Sequence, residues 1–275
     1  MLCRFIEIVE PISTVLLKFP KSPPMLSASE IEVSREIIAI LKPMELATTE
    51  MCGQTYTTCS KVIPILCCLE KNLKAAYMTS PIAIQLRNDI LDQLEIRFQN
   101  ITKSYIHSVA TVLDPRYKRV NFNKNCGDAA LAFERVDKEL KTFKKSVDDS
   151  NLGPKQVSTD HELWKFHVEL VNNHNHDSEN RFGSFGLSNC LKNYISQKIQ
   201  PLNTDPIQYW AHEQNTPELS QIALKYLSIV ATSAPCERLF SMAGNVQTRI
   251  RNRLTGEHLS NLLFLKSLDL SDWML

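Results

Sequence analysis

The stretch from Asp205 to Leu268 constrains the fold most, because its apolar residues recur at helical spacing. Leu219, Ile222, Ala223, Tyr226, Leu227 and Val230 step by three and four residues, which puts them on one face of a helix. Thr216 and Pro217 precede that face as a cap and a first-turn proline, whose missing N–H is no loss there. Ser233 and Pro235 repeat the arrangement for a second helix, with Leu239, Met242, Ala243 and Val246 on one side. Thr255 caps a third, carrying Leu259, Leu262, Leu263, Leu265 and Leu268. Glu237 is the carboxylate this pattern leaves over, about 160° from Leu239 at 100° per residue. It lies in the positive first turn of its helix, where an acid is favoured by roughly 0.3–1 kcal/mol.

Helical spacing also dominates upstream. Ser27 and Glu30 have capping-box spacing, and the helix they open is expected to run through Leu41 and stop near Pro43. Val62, Ile65, Leu66, Leu69, Leu73 and Ala76 form one face, with Pro64 in the first turn if Ser60 is the cap. Ser80 and Pro81 open the next helix, whose stripe is Leu86, Ile90, Leu94, Phe98 and Ile101. Val112-Leu113-Asp114-Pro115-Arg116-Tyr117 interrupts the helical pattern, and Asp-Pro as a turn start gives Asp114 a structural role. Phe133, Val136, Leu140, Phe143 and Val147 then mark another helix, supported by a Glu134–Lys138 and an Asp137–Lys141 pair. Residues 1–19 read as a helix broken near Pro11.

The fold class expected from this is mainly α. Seven glycines in 275 residues are too few for a fold rich in tight turns. Residues 1–147 form one helical region and 187–275 another. Residues 148–186, with Asn172, Asn173, His174, Asn175, His176 and Asp177, read as a polar linker, partly disordered. A net charge of +1 gives no global pull toward nucleic acid. No apolar run reaches membrane-spanning length. The eight cysteines form no C-x-x-C pair, so buried thiols are expected rather than disulfides or a zinc site.

The block S-A-P-C-E-R-L-F-S-M-A-G-N around Glu237, with Y-W before it and P-E-L-S-Q-I-A-L-K-Y-L between, resembles the C-terminal dimerisation region of hAT-superfamily DNA transposases. It is especially similar to zinc-finger BED-type transposases and their domesticated relatives. I-L-K-P-M-E-L-A-T-T-E-M-C-G, S-K-V-I-P-I-L and A-T-V-L-D-P-R-Y-K resemble the middle of those proteins. The resemblance implies a helical insertion-like region followed by a dimerisation region, the remnant of an RNase H-like transposase. In the family, the acid at Glu237 is the third carboxylate of a D-D-E site that holds Mg²⁺. No position here matches either Asp, and no BED zinc finger with its Cys/His ligands is found, so the resemblance implies a vestigial Glu237 and no transposase activity. A lone carboxylate assembles no two-metal site, so no cofactor is expected, Mg²⁺ entering only with a complete core.

The resemblance therefore implies a protein dimerisation module, either a homodimer or a heterodimer with a related transposase-like protein. A fragment of an active transposase and a DNA-binding regulator are the alternatives. Trp210, Leu219, Ala223, Leu227, Leu239, Phe240, Leu259, Leu262 and Leu263 are the expected dimerisation or packing residues. The short helices after residue 187 carry more apolar positions than so small a unit buries alone. Arg249, Arg251 and Arg253 form a basic strip able to touch DNA phosphate, a weak and local contact. No metal site, small-molecule substrate or membrane is expected. The family implies a nuclear protein.

Overall fold

The computed structural model describes residues 1–19, 21–53, 56–122, 126–143, 187–213, 215–247 and 254–268. Every regular element among them is helical. In chain order they are α1 (Leu2–Glu7), α2 (Val9–Leu16), α3 (Ala28–Met51), α4 (Val62–Ala75), α5 (Pro81–Phe98), α6 (Tyr105–Leu113), α7 (Cys126–Phe143), α8 (Asn189–Ser196), α9 (Pro206–Ala211), α10 (Pro217–Leu227), α11 (Ala234–Val246) and α12 (Gly256–Ser267). The expected linker, 148–186, including His174, His176 and Asp177, lies outside the described residues.

Local signals explain most starts and stops. The Ser27–Glu30 capping box is formed in both directions. Pro217 occupies the first turn of α10 and Pro81 that of α5. Ser80 stands at the N-cap of α5, but its side chain makes no cap bond. That end is closed by Glu36 from α3, whose carboxylate accepts from the Thr79 N–H, the Thr79 hydroxyl and the Ser80 N–H. These bonds hold the Glu36 carboxyl below its usual range.

Four expectations are corrected. Helix α3 runs past Pro43 to Met51. Ile40 and Ala47, on either side of the proline, are both buried in the core, and their packing outweighs the lost backbone bond. The N-terminal break falls at Ile8, and Pro11 sits within the first turn of α2, where it is tolerated. The α5 stripe is only half-buried: Leu86, Ile90 and Leu94 flank the core, while Phe98 is exposed. Val230 lies beyond the end of α10 and is also exposed.

Two apolar clusters make the body. One joins Ile40 and Ala47 of α3, Ile65, Cys68, Leu69 and Leu73 of α4, Ala83 of α5 and Tyr117. The other gathers Ile63 of α4, Val109, Ala110, Val112 and Leu113 of α6, Phe133, Val136 and Leu140 of α7, Leu191 and Tyr194 of α8, Trp210 of α9 and five residues of α10. Helix α6 lies at its centre, against α4, α7 and α10. Residues from both sides of 144–186 thus share one core. Of the described cysteines only Cys59 and Cys68 are buried, whereas Cys3 and Cys236 are exposed, so the expectation of buried thiols holds only in part. Burial pushes the Cys59 thiol up to about 11.

The turn after α6 ties the clusters together. Asp114 is fully buried and accepts from the Ser60 hydroxyl at 2.6 Å, from the Arg116 N–H at 3.0 Å and from its guanidinium at 2.9 and 2.7 Å. Arg116 also donates to Thr57. Ser60 is therefore not the cap of α4, a role taken by the Lys61 backbone after a 3-10 turn over Cys59–Lys61. On the other side, the Trp210 indole donates to the Leu113 carbonyl at 2.7 Å and the Tyr194 hydroxyl to Val112 at 3.1 Å. The Gln200 N–H closes onto Pro115 at 2.9 Å. The sequence from Leu113 to Lys118 is the hub on which 187–211 is seated.

Candidate association surface

Helices α11 and α12 stand apart from this core. They pack on each other, and neither contains a buried residue. Their starts follow from sequence. Pro235 lies in the first turn of α11, and the Thr255 hydroxyl accepts from the His258 N–H of α12.

The apolar pattern of the pair is the unusual feature. Leu259, Leu262 and Leu263 fall on one side of α12, and Phe264 and Leu265 fall on others. Leu262 is 41% exposed, Leu265 46% and Phe264 63%. On α11, Leu239 is 40% exposed and Phe240 74%. A helix apolar on more than one side is one that normally lies between two packed surfaces. Here α11 supplies one such surface and the rest faces solvent, at a transfer cost of about 25 cal/mol per Å² left wet.

Among the described residues, two bonds join this hairpin and the turn before it to the body, both at the loop between α3 and α4. The Ala231 N–H donates to Thr58 Oγ1 at 2.8 Å, and Arg238 donates to the Cys52 carbonyl at 2.9 Å. That loop is itself braced. The Tyr56 ring lies over Gly53, where a Cβ would stand 2.2 Å from it, and the Lys61 ammonium sits 4.0 Å above the same ring. Lys61 pairs with Glu50 at 2.6 Å, and burial holds its ammonium below the usual range despite that partner.

The expected site residues divide between core and surface. Trp210, Leu219, Ala223 and Leu227 are buried in the body and act by packing. Leu239, Phe240 and Leu262 are exposed, while Leu259 and Leu263 are half-buried. Phe264 belongs with them and was not singled out from sequence, although its place in the run L-L-F-L was a signal. Glu237 is exposed on α11 and accepts from the Ser233 hydroxyl at 2.5 Å. Ser233 therefore makes no cap bond. Its backbone is helical, at φ −75 and ψ −4, whereas a capping serine needs an extended conformation to reach the next turn. Among the described residues, no three His, Cys, Asp or Glu side chains come together as a metal site. Arg249, Arg251 and Arg253 lie outside the described residues. No helix among the described residues is long and apolar enough to cross a membrane.

Residues 190–268 match the family model of the hAT family C-terminal dimerisation region. Over 252 residues the chain is 24% identical to zinc finger BED domain-containing protein 4 of Homo sapiens, an alignment covering 88% of this chain and 21% of that protein. The chain thus spans about a fifth of the length of the curated relative it matches.

Proposed function

We propose that this hAT-type, transposase-like chain acts through its α11–α12 hairpin, which joins a second copy of the chain into a dimer. The observation that carries the reading is α12: a helix apolar on more than one side, with no buried residue, inside the stretch that matches a dimerisation region. A stable interface takes on the order of 800 Å² from each partner, centred on aromatic and aliphatic anchors. Phe240, Leu262, Phe264 and Leu265 are side chains of that kind. Pairing the same patch on two copies closes the assembly as a two-fold dimer. A related protein carrying the same region would present the same chemistry, so a heterodimer is the variant of this reading.

We read association, not DNA cleavage, as what this chain contributes. Glu237 supports that reading through its partner: it holds the Ser233 hydroxyl at the start of α11, which gives the acid a role within its own helix. Nuclear residence is part of the proposal and rests on the likeness to a BED zinc finger protein. Contact between the arginine strip and DNA phosphate would be secondary to it.

Co-capture tests the proposal. Two copies with different tags, expressed together, are expected to elute as a mixed complex, and the Phe240→Asp copy is expected to drop out. Elution of each copy alone would contradict it. Mg²⁺-dependent nicking of transposon-end DNA, lost in Glu237→Gln, would favour the enzymatic reading instead.

A further inference from the structure

Lys118 is buried, with 2% of its surface exposed, and its backbone is left-handed at φ 45. It is the non-glycine residue with positive φ among those described. That conformation is disfavoured for any residue with a side chain and persists where the surroundings over-determine it. The surroundings here are specific. The Lys118 amine donates to the Tyr194 carbonyl at 2.6 Å and to the Gln197 carbonyl at 2.5 Å, and it stands 4.5 Å above the Tyr194 ring. Tyr194 and Gln197 are the last turn and C-cap of α8, whose carbonyls lack helical partners and carry the negative end of the helix dipole. Among the described residues no carboxylate forms an ion pair with Lys118.

We infer that Lys118 is a proton-operated clasp: its amine closes the end of α8 onto the 114–120 turn, and the proton on that amine sets how firmly residues 187–211 are held to the body. The inference does not depend on what covers α11 and α12. The amine bridges two stretches far apart in sequence, and both of its acceptors are neutral. The α8 carbonyls and the Tyr194 ring favour the ammonium, but none carries a full charge, so the desolvation cost of burying it outweighs them, and the free amine does not bear that cost. Among the described residues, charged and titratable groups around the joint include Arg119 beside it, the mutually paired Asp114 and Arg116 on the same turn, Asp205, which acts on Arg116, Tyr194 from α8 and Tyr209 from α9. Burial, reinforced by the positive Arg119, brings the Lys118 amine down to about 7.

The sign follows from proton linkage. In the seated state the amine loses its proton near neutrality, whereas released into water it keeps it to about 10.4. Between those values the released state binds the extra proton, so seating strengthens as pH rises, by up to about tenfold per pH unit. Hydrogen exchange of the full chain reads this directly. After correction for intrinsic exchange, protection of the α8 amides is expected to climb toward tenfold per unit between about pH 7 and 9. Lys118→Met, which keeps the stem and removes the titrating group, is expected to flatten that slope. Flat protection in the wild type, or an unchanged slope in Lys118→Met, would overturn the inference. Should the variant not fold, the wild-type Lys118 Cε resonance decides: a midpoint near 7 supports the clasp, and one near 10 refutes it.

Discussion

The Ser60 hydroxyl donates to Asp114 at 2.6 Å across 54 residues of chain, with both side chains buried. Asp114 would otherwise be a carboxylate facing apolar helices. Ser60, Thr57 and Arg116 turn it into the fixed point at which α6, the 59–61 turn and the C-terminal segment meet. Arg116 is steadied by the same contact. Burial would push the guanidinium down, and the Asp114 carboxylate beside it more than reverses this.

Removal of Asp114 takes the neighbouring carboxylate from a buried guanidinium. Asp114→Ala is expected to destabilise the fold by about 3–5 kcal/mol, against about 1–2 kcal/mol for Ser60→Ala, which deletes one bond to a charged acceptor. Urea denaturation of the three proteins checks the order. Equal effects would mean the two residues are not arranged as described.

Pro43 works against the helix that contains it. Pro43→Ala restores a backbone donor in the middle of α3 and is expected to stabilise the protein by roughly 1–3 kcal/mol. Thermal unfolding reads the gain as a raised Tm. An unchanged or lowered Tm would show that the proline ring is itself a packing element.

Asp137 links α7 to the start of α8. It pairs with Lys141 at 2.5 Å and accepts from the Ser188 N–H and hydroxyl at 2.7 and 2.6 Å. Burial alone would raise its carboxyl, but these partners together hold it below the ordinary value. Its contribution is therefore present above about pH 4 and is lost as the pH falls through the depressed folded value. Asp137→Asn is expected to be less stable at neutral pH and to lose less on acidification. Urea midpoints at pH 7 and pH 3 separate the two behaviours.

Legibility in the sequence followed exposure. Helix α10 was visible because one of its faces is wet, so Leu219, Ile222, Ala223, Tyr226 and Leu227 stand out at regular steps. Helix α6 was not, because Ser108 to Leu113 are all buried, polar and apolar alike, so no wet face marks its period. Ser60 and Ser233 fitted a capping rule locally, yet the Ser60 hydroxyl went to a carboxylate 54 residues away and the Ser233 hydroxyl to Glu237 one turn on in the same helix. Lys118 gave no local sign, since what defines it is a helix end 76 residues away.

Core and surface leucines of the C-terminal region should separate by experiment. Leu219→Ala, in the body, is expected to cost about 2–5 kcal/mol in unfolding free energy and to leave self-association intact while the protein is folded. Leu262→Ala should do little to monomer stability and weaken association. Circular dichroism melts set beside sizing chromatography check the pair.

Sedimentation equilibrium of the wild-type chain and of Phe240→Asp/Leu262→Asp, over a range reaching tens of micromolar, tests the dimer most directly. The account predicts a concentration-dependent monomer–dimer equilibrium for the wild type, weakened by at least about thirtyfold in the double variant, as expected for hot-spot residues worth 2 kcal/mol or more. A wild-type chain that stays monomeric throughout, or a double variant that dimerises equally well, would contradict it.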